Sequence, residues 1–298
     1  MTIERLFFKP FDLAHYIMFN EYPVEYIKTI DVPGTFVEKI STRVHLKNGI
    51  SGEMDSAFIL NPDGEILKEK VAACLEHQTT PVQSYKLDKF GDFDIQLVSD
   101  KNLPTFLMVA SHLNDTGSKR ELIRSPSDIT KLYFLNLGEE NICKRLNTVS
   151  KIIENNQHLT TEDALNLGII LLYAPRKYAC EITDKVVNLY IKITKDLDSK
   201  MEHCLYSVIY TMIDAYIDDE EEYRRLVNMI NKSTSQDTQE AFAATKEYFI
   251  NSLQWTKEDL EIAKGDLETA NEKIRKQEKE KEELKKEIDR LKNELNGK

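Results

Sequence analysis

Met54-Asp-Ser-Ala-Phe-Ile-Leu60 and Ala73-Cys-Leu-Glu-His-Gln78 decide how this chain is read. Each is a short apolar run bounded by turn residues, which is the length and texture of a strand. Between them, Asn61-Pro62-Asp63-Gly64 puts Pro at the second and Gly at the fourth position of a type I turn. That predicts an antiparallel hairpin whose second strand ends near Gln78. Alternate residues of a strand share a face, so Glu76 and Gln78 point one way and His77 the other. The hairpin then brings Asp55 on one strand to the strand that bears Glu76, and one carboxylate from each can converge.

Working outward, Val37-Glu-Lys-Ile40 and Val44-His-Leu46 read as further strands, and Phe11 to Ile30 as short helices broken by Pro23. After Gln78, Thr80 suits a helix cap, Pro81 the first helical position and Gln83 the reciprocal capping bond. Lys101-Asn-Leu-Pro104 ends that helix, and Thr105-Phe-Leu-Met-Val-Ala110 has the length of a buried strand. The Asn114-Asp-Thr-Gly117 turn and strands over Glu121–Arg124 and Lys131–Leu137 follow. The first half is therefore mixed α/β.

Beyond Glu139 strand signals stop. Ile142–Ile153, Thr161–Leu172, Ile182–Leu197, Met201–Tyr216 and Glu221–Ile230 have helical spacing or length, with Thr161 placed as a cap before Glu162-Asp163. Ser233 and Ser235 precede another helical run from Gln239 to Trp255. From there Leu253, Leu260, Leu267, Ile274, Lys281, Ile288 and Leu295 recur every seventh residue, with Ala263, Ala270, Gln277, Leu284 and Leu291 in the companion position. That is a coiled-coil seam, with Gln277 and Lys281 as polar interruptions that fix register and partner number. A parallel dimer is expected. A DNA-gripping basic zipper is not, because positions 256–298 hold 12 Lys and Arg against 13 Asp and Glu. The chain divides into a mixed domain over 1–138, a helical domain over 139–252 and the coiled coil over 253–298.

Composition narrows the function classes. At ~100 to 200 residues per domain, a chain of 298 residues with 41% hydrophobic and 31% charged residues can bury a real core. Its 10 Gly and 8 Pro exclude fibrous and low-complexity classes. The net charge of −11 opposes sequence-independent attraction to polyanions, so contact with nucleic acid must be local and metal-assisted. Cys74, Cys143, Cys180 and Cys204 form no CxxC pair, which argues for a reducing, cytoplasmic location. No export signal or membrane span is visible, and no P-loop, GxGxxG or Gly-x-Ser-x-Gly sequence offers a nucleotide cofactor or serine nucleophile. The six histidines show no HExxH or HxH spacing.

The chemistry rests on Asp55 and Glu76. Two carboxylates a few ångströms apart, joined by the His77 carbonyl, make the hard oxygen cage that Mg²⁺ prefers, with positions left for water and phosphate. Such a site suits phosphodiester hydrolysis, with Gln78 orienting water or a phosphate oxygen. The rival reading is that both acids are polar residues at strand ends.

Leu75-Glu-His-Gln-Thr-Thr-Pro81, preceded by Asp55 and followed by a helix and the Leu103-Pro-Thr-Phe-Leu-Met-Val109 strand, resembles the recombination-promoting nuclease/transposase family of the PD-(D/E)XK nuclease superfamily. The resemblance covers roughly Phe11 to Leu137. It implies a restriction-endonuclease-like core and an endonuclease that cuts DNA with Mg²⁺, or with Mn²⁺. Asp55 and Glu76 are then the metal ligands, and Gln78 stands where the superfamily has lysine. A neutral amide can only hydrogen-bond, whereas a lysine stabilises charge. Lys86, or Lys89, is a candidate substitute; otherwise both are solvent-facing lysines of an amphipathic helix. A homodimer through the coiled coil would present one site to each strand of a duplex. The competing function is a catalytically inactive nuclease scaffold that assembles partners through its helices.

Overall fold

Pro10 and Pro23 each open a helix, because a proline at the first helical position gives up an N–H that has no partner there anyway. They start α1 (Pro10–Glu21) and α2 (Pro23–Thr29), so the predicted break at Pro23 is the start of the second helix. The computed structural model describes residues 7, 9–45, 51–78, 84–111, 119–125 and 128–247. Contacts divide the chain into one unit over Met1–Ala243 and another over Ala244–Lys298.

The first unit is mixed α/β. After α2 come β1 (Thr35–Lys39), β2 (Arg43–His45), β3 (Ser51–Glu53), β4 (Ser56–Asn61), β5 (Val71–Gln78), α3 (Ser84–Lys101), β6 (Thr105–Ser111), β7 (Lys119–Ser125) and β8 (Asp128–Asn136). Six of the strands form a mixed sheet in the order β1-β4-β5-β6-β8-β7, while β2 and β3 pair separately. β1, β4 and β5 run antiparallel, β5, β6 and β8 run parallel, and β7 returns antiparallel at the edge. A parallel β5–β6 pair needs a crossover, which α3 supplies. Central strands covered on both faces read as continuous apolar runs, and every residue of β5 is buried.

The β4–β5 hairpin has the predicted direction, with Ser56 opposite Leu75 and Leu60 opposite Val71. Its connection differs from a four-residue turn. Asp63 Oδ1 accepts the backbone N–H groups of Glu65, Ile66 and Leu67, each at 2.9 Å, and this carboxylate organises a loop over 62–70. Gly64 sits within it at φ 81°, a conformation that favours glycine.

Two layers of helix cover the sheet. On one face Ala57, Ile59, Ala72, Cys74, Leu107, Val109, Leu132 and Phe134 meet Phe90, Phe93 and Leu97 of α3. Their spacing of three and four residues gives that helix an apolar stripe. On the other face Phe58 of β4 meets Phe19 of α1, ring centroids 5.4 Å apart. Behind α1 and α2 lie α4 (Glu139–Glu154), α5 (Thr161–Leu172), α6 (Ala179–Ile193), α7 (Ser199–Tyr216) and α8 (Glu220–Ser233). α1 packs on α5 and α7, and α2 on α5.

The helical half follows the sequence reading with local corrections. The cap of α5 is Thr160 rather than Thr161, because only Thr160 has an acid three residues on. Its side chain accepts from Asp163 N–H, and Asp163 returns the bond to Thr160 N–H, each at 3.1 Å. α7 starts two residues before the predicted Met201 because Asp198 caps it. α6 gives way at Thr194 to a 3₁₀ turn instead of continuing to Leu197. The Thr80–Gln83 cap, the Asn114–Gly117 turn and the coiled-coil seam from Leu253 lie outside the described residues. No helix among the described residues is long and apolar enough to cross a membrane.

Candidate functional site

Asp55 immediately precedes β4, and continuing the β4–β5 register by one residue sets it opposite Glu76. There the ladder is completed by side chains. Asp55 N–H donates to Glu76 Oε1 at 2.9 Å, and Asp55 Oδ2 accepts the His77 N–H at 2.8 Å. The two acids are thus tied reciprocally, each carboxylate reaching the other strand's backbone. Charge-assisted bonds to backbone N–H groups hold carboxylates in place more firmly than neutral bonds would. Glu76 and Gln78 are 4% and 5% exposed, while Asp55 is half-buried. Along β5, Glu76 and Gln78 continue the alternation of Ala72 and Cys74, which face α3. Gln78 pairs in register with Ser111 of β6. Lys86 lies in the first turn of α3 and Lys89 in its second; their side chains are outside the described part of the protein.

His77 faces the opposite way, into a cluster that no spacing in the sequence announces. Its Nδ1 hydrogen-bonds the Tyr173 hydroxyl at the end of α5. Its ring lies against that of His15 of α1, centroids 3.6 Å apart and planes tilted by 43°. His15 Nδ1 shares a hydrogen bond with Tyr26 OH at 2.8 Å, and its Nε2 shares one with Ser56 Oγ at 2.5 Å. The five residues come from α1, α2, β4, β5 and the end of α5, with the Tyr173–His77 bond alone spanning 96 residues of sequence. A pattern search along the chain cannot find them.

Burial sets the charge state of this cluster. It depresses the His15 pKa to about 3, against an opposing pull from the Asp55 carbonyl. His77 is also held well below the ordinary histidine value, by burial and then by His15. Burial likewise raises the Tyr26 and Tyr173 hydroxyls, and the Asp55 charge adds to both shifts. All four groups are neutral at physiological pH, as the cost of burying charge requires. His77 Nε2 is buried with no hydrogen-bond partner among the described residues.

The acidic side chains at this junction, Asp55 and Glu76, offer oxygen donors, which suit a hard divalent cation that keeps several waters rather than a structural zinc. Among the described residues no group of three or more His, Cys, Asp and Glu side chains gathers to hold a metal by itself. No protein-family model, curated protein or solved structure matches this chain.

Proposed function

We propose that the chain is a divalent-cation-dependent DNA endonuclease built on a restriction-endonuclease-like core. The reciprocal pairing of Asp55 and Glu76 at one strand junction carries this reading. The order of helix, antiparallel strands β1, β4 and β5, crossover helix and parallel strand β6 supports it. So does the Glu76-His-Gln-Thr-Thr-Pro81 string that resembles the recombination-promoting nucleases.

Asp55, Glu76 and the His77 carbonyl would hold Mg²⁺ or Mn²⁺. When bound, that ion lowers the pKa of its water and neutralises charge growing on the phosphate. The chain's own contributions are simpler. Asp55 and Glu76 would hold the cation where it meets the scissile phosphate, and the Gln78 amide would hydrogen-bond the attacking water or a phosphate oxygen. Lys86 is the candidate to supply the positive charge that Gln78 lacks. A homodimer through the 253–298 seam would set one such site against each strand of a duplex.

Purified protein with Mg²⁺ or Mn²⁺ should nick supercoiled plasmid. Asp55→Asn, which keeps an oxygen to accept the His77 N–H, should abolish nicking while leaving the melting temperature close to wild type. Intact plasmid with wild-type protein across Mg²⁺, Mn²⁺, Co²⁺ and Ca²⁺ sinks the proposal. That result would favour the second reading, a nuclease scaffold without catalysis. Its support is Gln78 in place of lysine and the engagement of both carboxylates with the backbone.

A further inference from the structure

The His15 cluster lies directly behind the two acids and shares residues with them. Ser56, whose hydroxyl meets His15, is the residue after Asp55, and His77, whose ring touches that of His15, supplies the N–H that Asp55 grips. Ordinary core packing would serve this interface with phenylalanine and leucine, as it does a few residues away at Phe19, Phe36 and Phe58. Two imidazoles and two phenols in one buried place instead require a matched set of hydrogen bonds, which specify orientation as well as volume.

We propose that His15 is a positioning residue for the Asp55–Glu76 site, fixing the backbone at Asp55 and Ser56 and the plane of His77 from the rear of the sheet. The inference rests on the cation-site reading for its purpose, although the positioning itself concerns this chain alone. His15 contributes two bonds at once. Nε2 holds the first residue of β4 through Ser56 Oγ, and Nδ1 anchors the ring to Tyr26 of α2. Tyr173 holds His77 from the other side. The strand ends that carry Asp55 and Glu76 are therefore clamped to α1, α2 and α5, the arrangement by which outer groups orient metal ligands.

The test uses the full-length chain in two states. In metal-free protein, His15→Phe keeps the ring volume but removes both bonds. Amide hydrogen exchange at His77 should then accelerate, while the Cys74 amide in the middle of β5 keeps wild-type protection. In a Mn²⁺ titration followed by electron paramagnetic resonance, the same variant should bind about tenfold more weakly. It should also lower kcat for plasmid nicking without raising KM. Tyr26→Phe, which removes one hydroxyl and no ring, should shift exchange and affinity in the same direction by less, and it takes over the test if His15→Phe does not fold. Unchanged His77 exchange in a folded variant overturns the positioning role. Faster His77 exchange in a chain that takes up no Mn²⁺ in wild-type form keeps the positioning of Asp55 and overturns the cation site.

Discussion

His15 and His77 lie ring against ring inside the protein, tilted by 43°, and neither can take up a proton without losing a bond or burying a charge. Their pKa values are lowered in the folded chain, His15 to about 3 against 6.5 unfolded, so the unfolded chain binds more protons below 6.5. Stability is then complete above about pH 6.5 and declines as the pH falls from there towards 3, by up to about 1.4 kcal/mol per pH unit for each histidine. Urea denaturation at pH 7.5 and pH 5.0 should show this loss, and His15→Gln should make it shallower. Equal midpoints at the two pH values would contradict it. At this scale the sequence is legible only where neighbours in the chain decide the outcome. The period of two along β5 is enough to separate Glu76 and Gln78 from His77. The partners of His77 are not readable, because they arrive from α1 and α5 through packing that no local pattern encodes.

Helix α5 shows how tightly the elements meet. It is buried almost all round, and Gly168 lets it approach α1 and α7: a Cβ there would lie 2.5 Å from Met18 Sδ and 3.3 Å from Val208 Cγ1. Gly168→Val should overpack this junction and cost about 1–3 kcal/mol, measured as a lower urea midpoint with an unchanged slope. The capping box gives a sharper comparison on the same helix. Thr160→Ala should cost about 1 kcal/mol, and Thr161→Ala much less, since Thr161 caps nothing. Equal losses from the two would put the cap in the wrong place. The existence of most elements follows from periodicity and turn residues. Their ends depend on single side chains: Asp198 moves the start of α7, and Asp63 turns a predicted tight turn into a loop. Such choices compete within about 1 kcal/mol, too small a difference for composition to signal.

At the scale of the whole chain, the net charge of −11 and the heptad seam from Leu253 make assembly part of the proposed activity. Removing residues from Thr256 onward should halve the mass measured by light scattering; an unchanged mass refutes pairing through that seam. Arg145 of α4 reveals a different dependence. It binds the carbonyl of Thr29, Asp31 Oδ2 at 2.7 Å and Asn166 Oδ1 at 2.8 Å, riveting the end of α2 to the helical half. Together with Tyr173 on His77 and α7 behind α1, it means that the helices backing α1 and α2 are supplied by sequence translated after the described strands and both acids. A nascent chain that has emerged only as far as Leu137 carries the described strands, both acids, α1 and α2 but lacks α5 and α7, so the outer apolar faces of α1 and α2 stay uncovered. The clamp on Asp55 and His77 therefore stays incomplete until α5 has been made, and products truncated at Leu137 should be prone to aggregate.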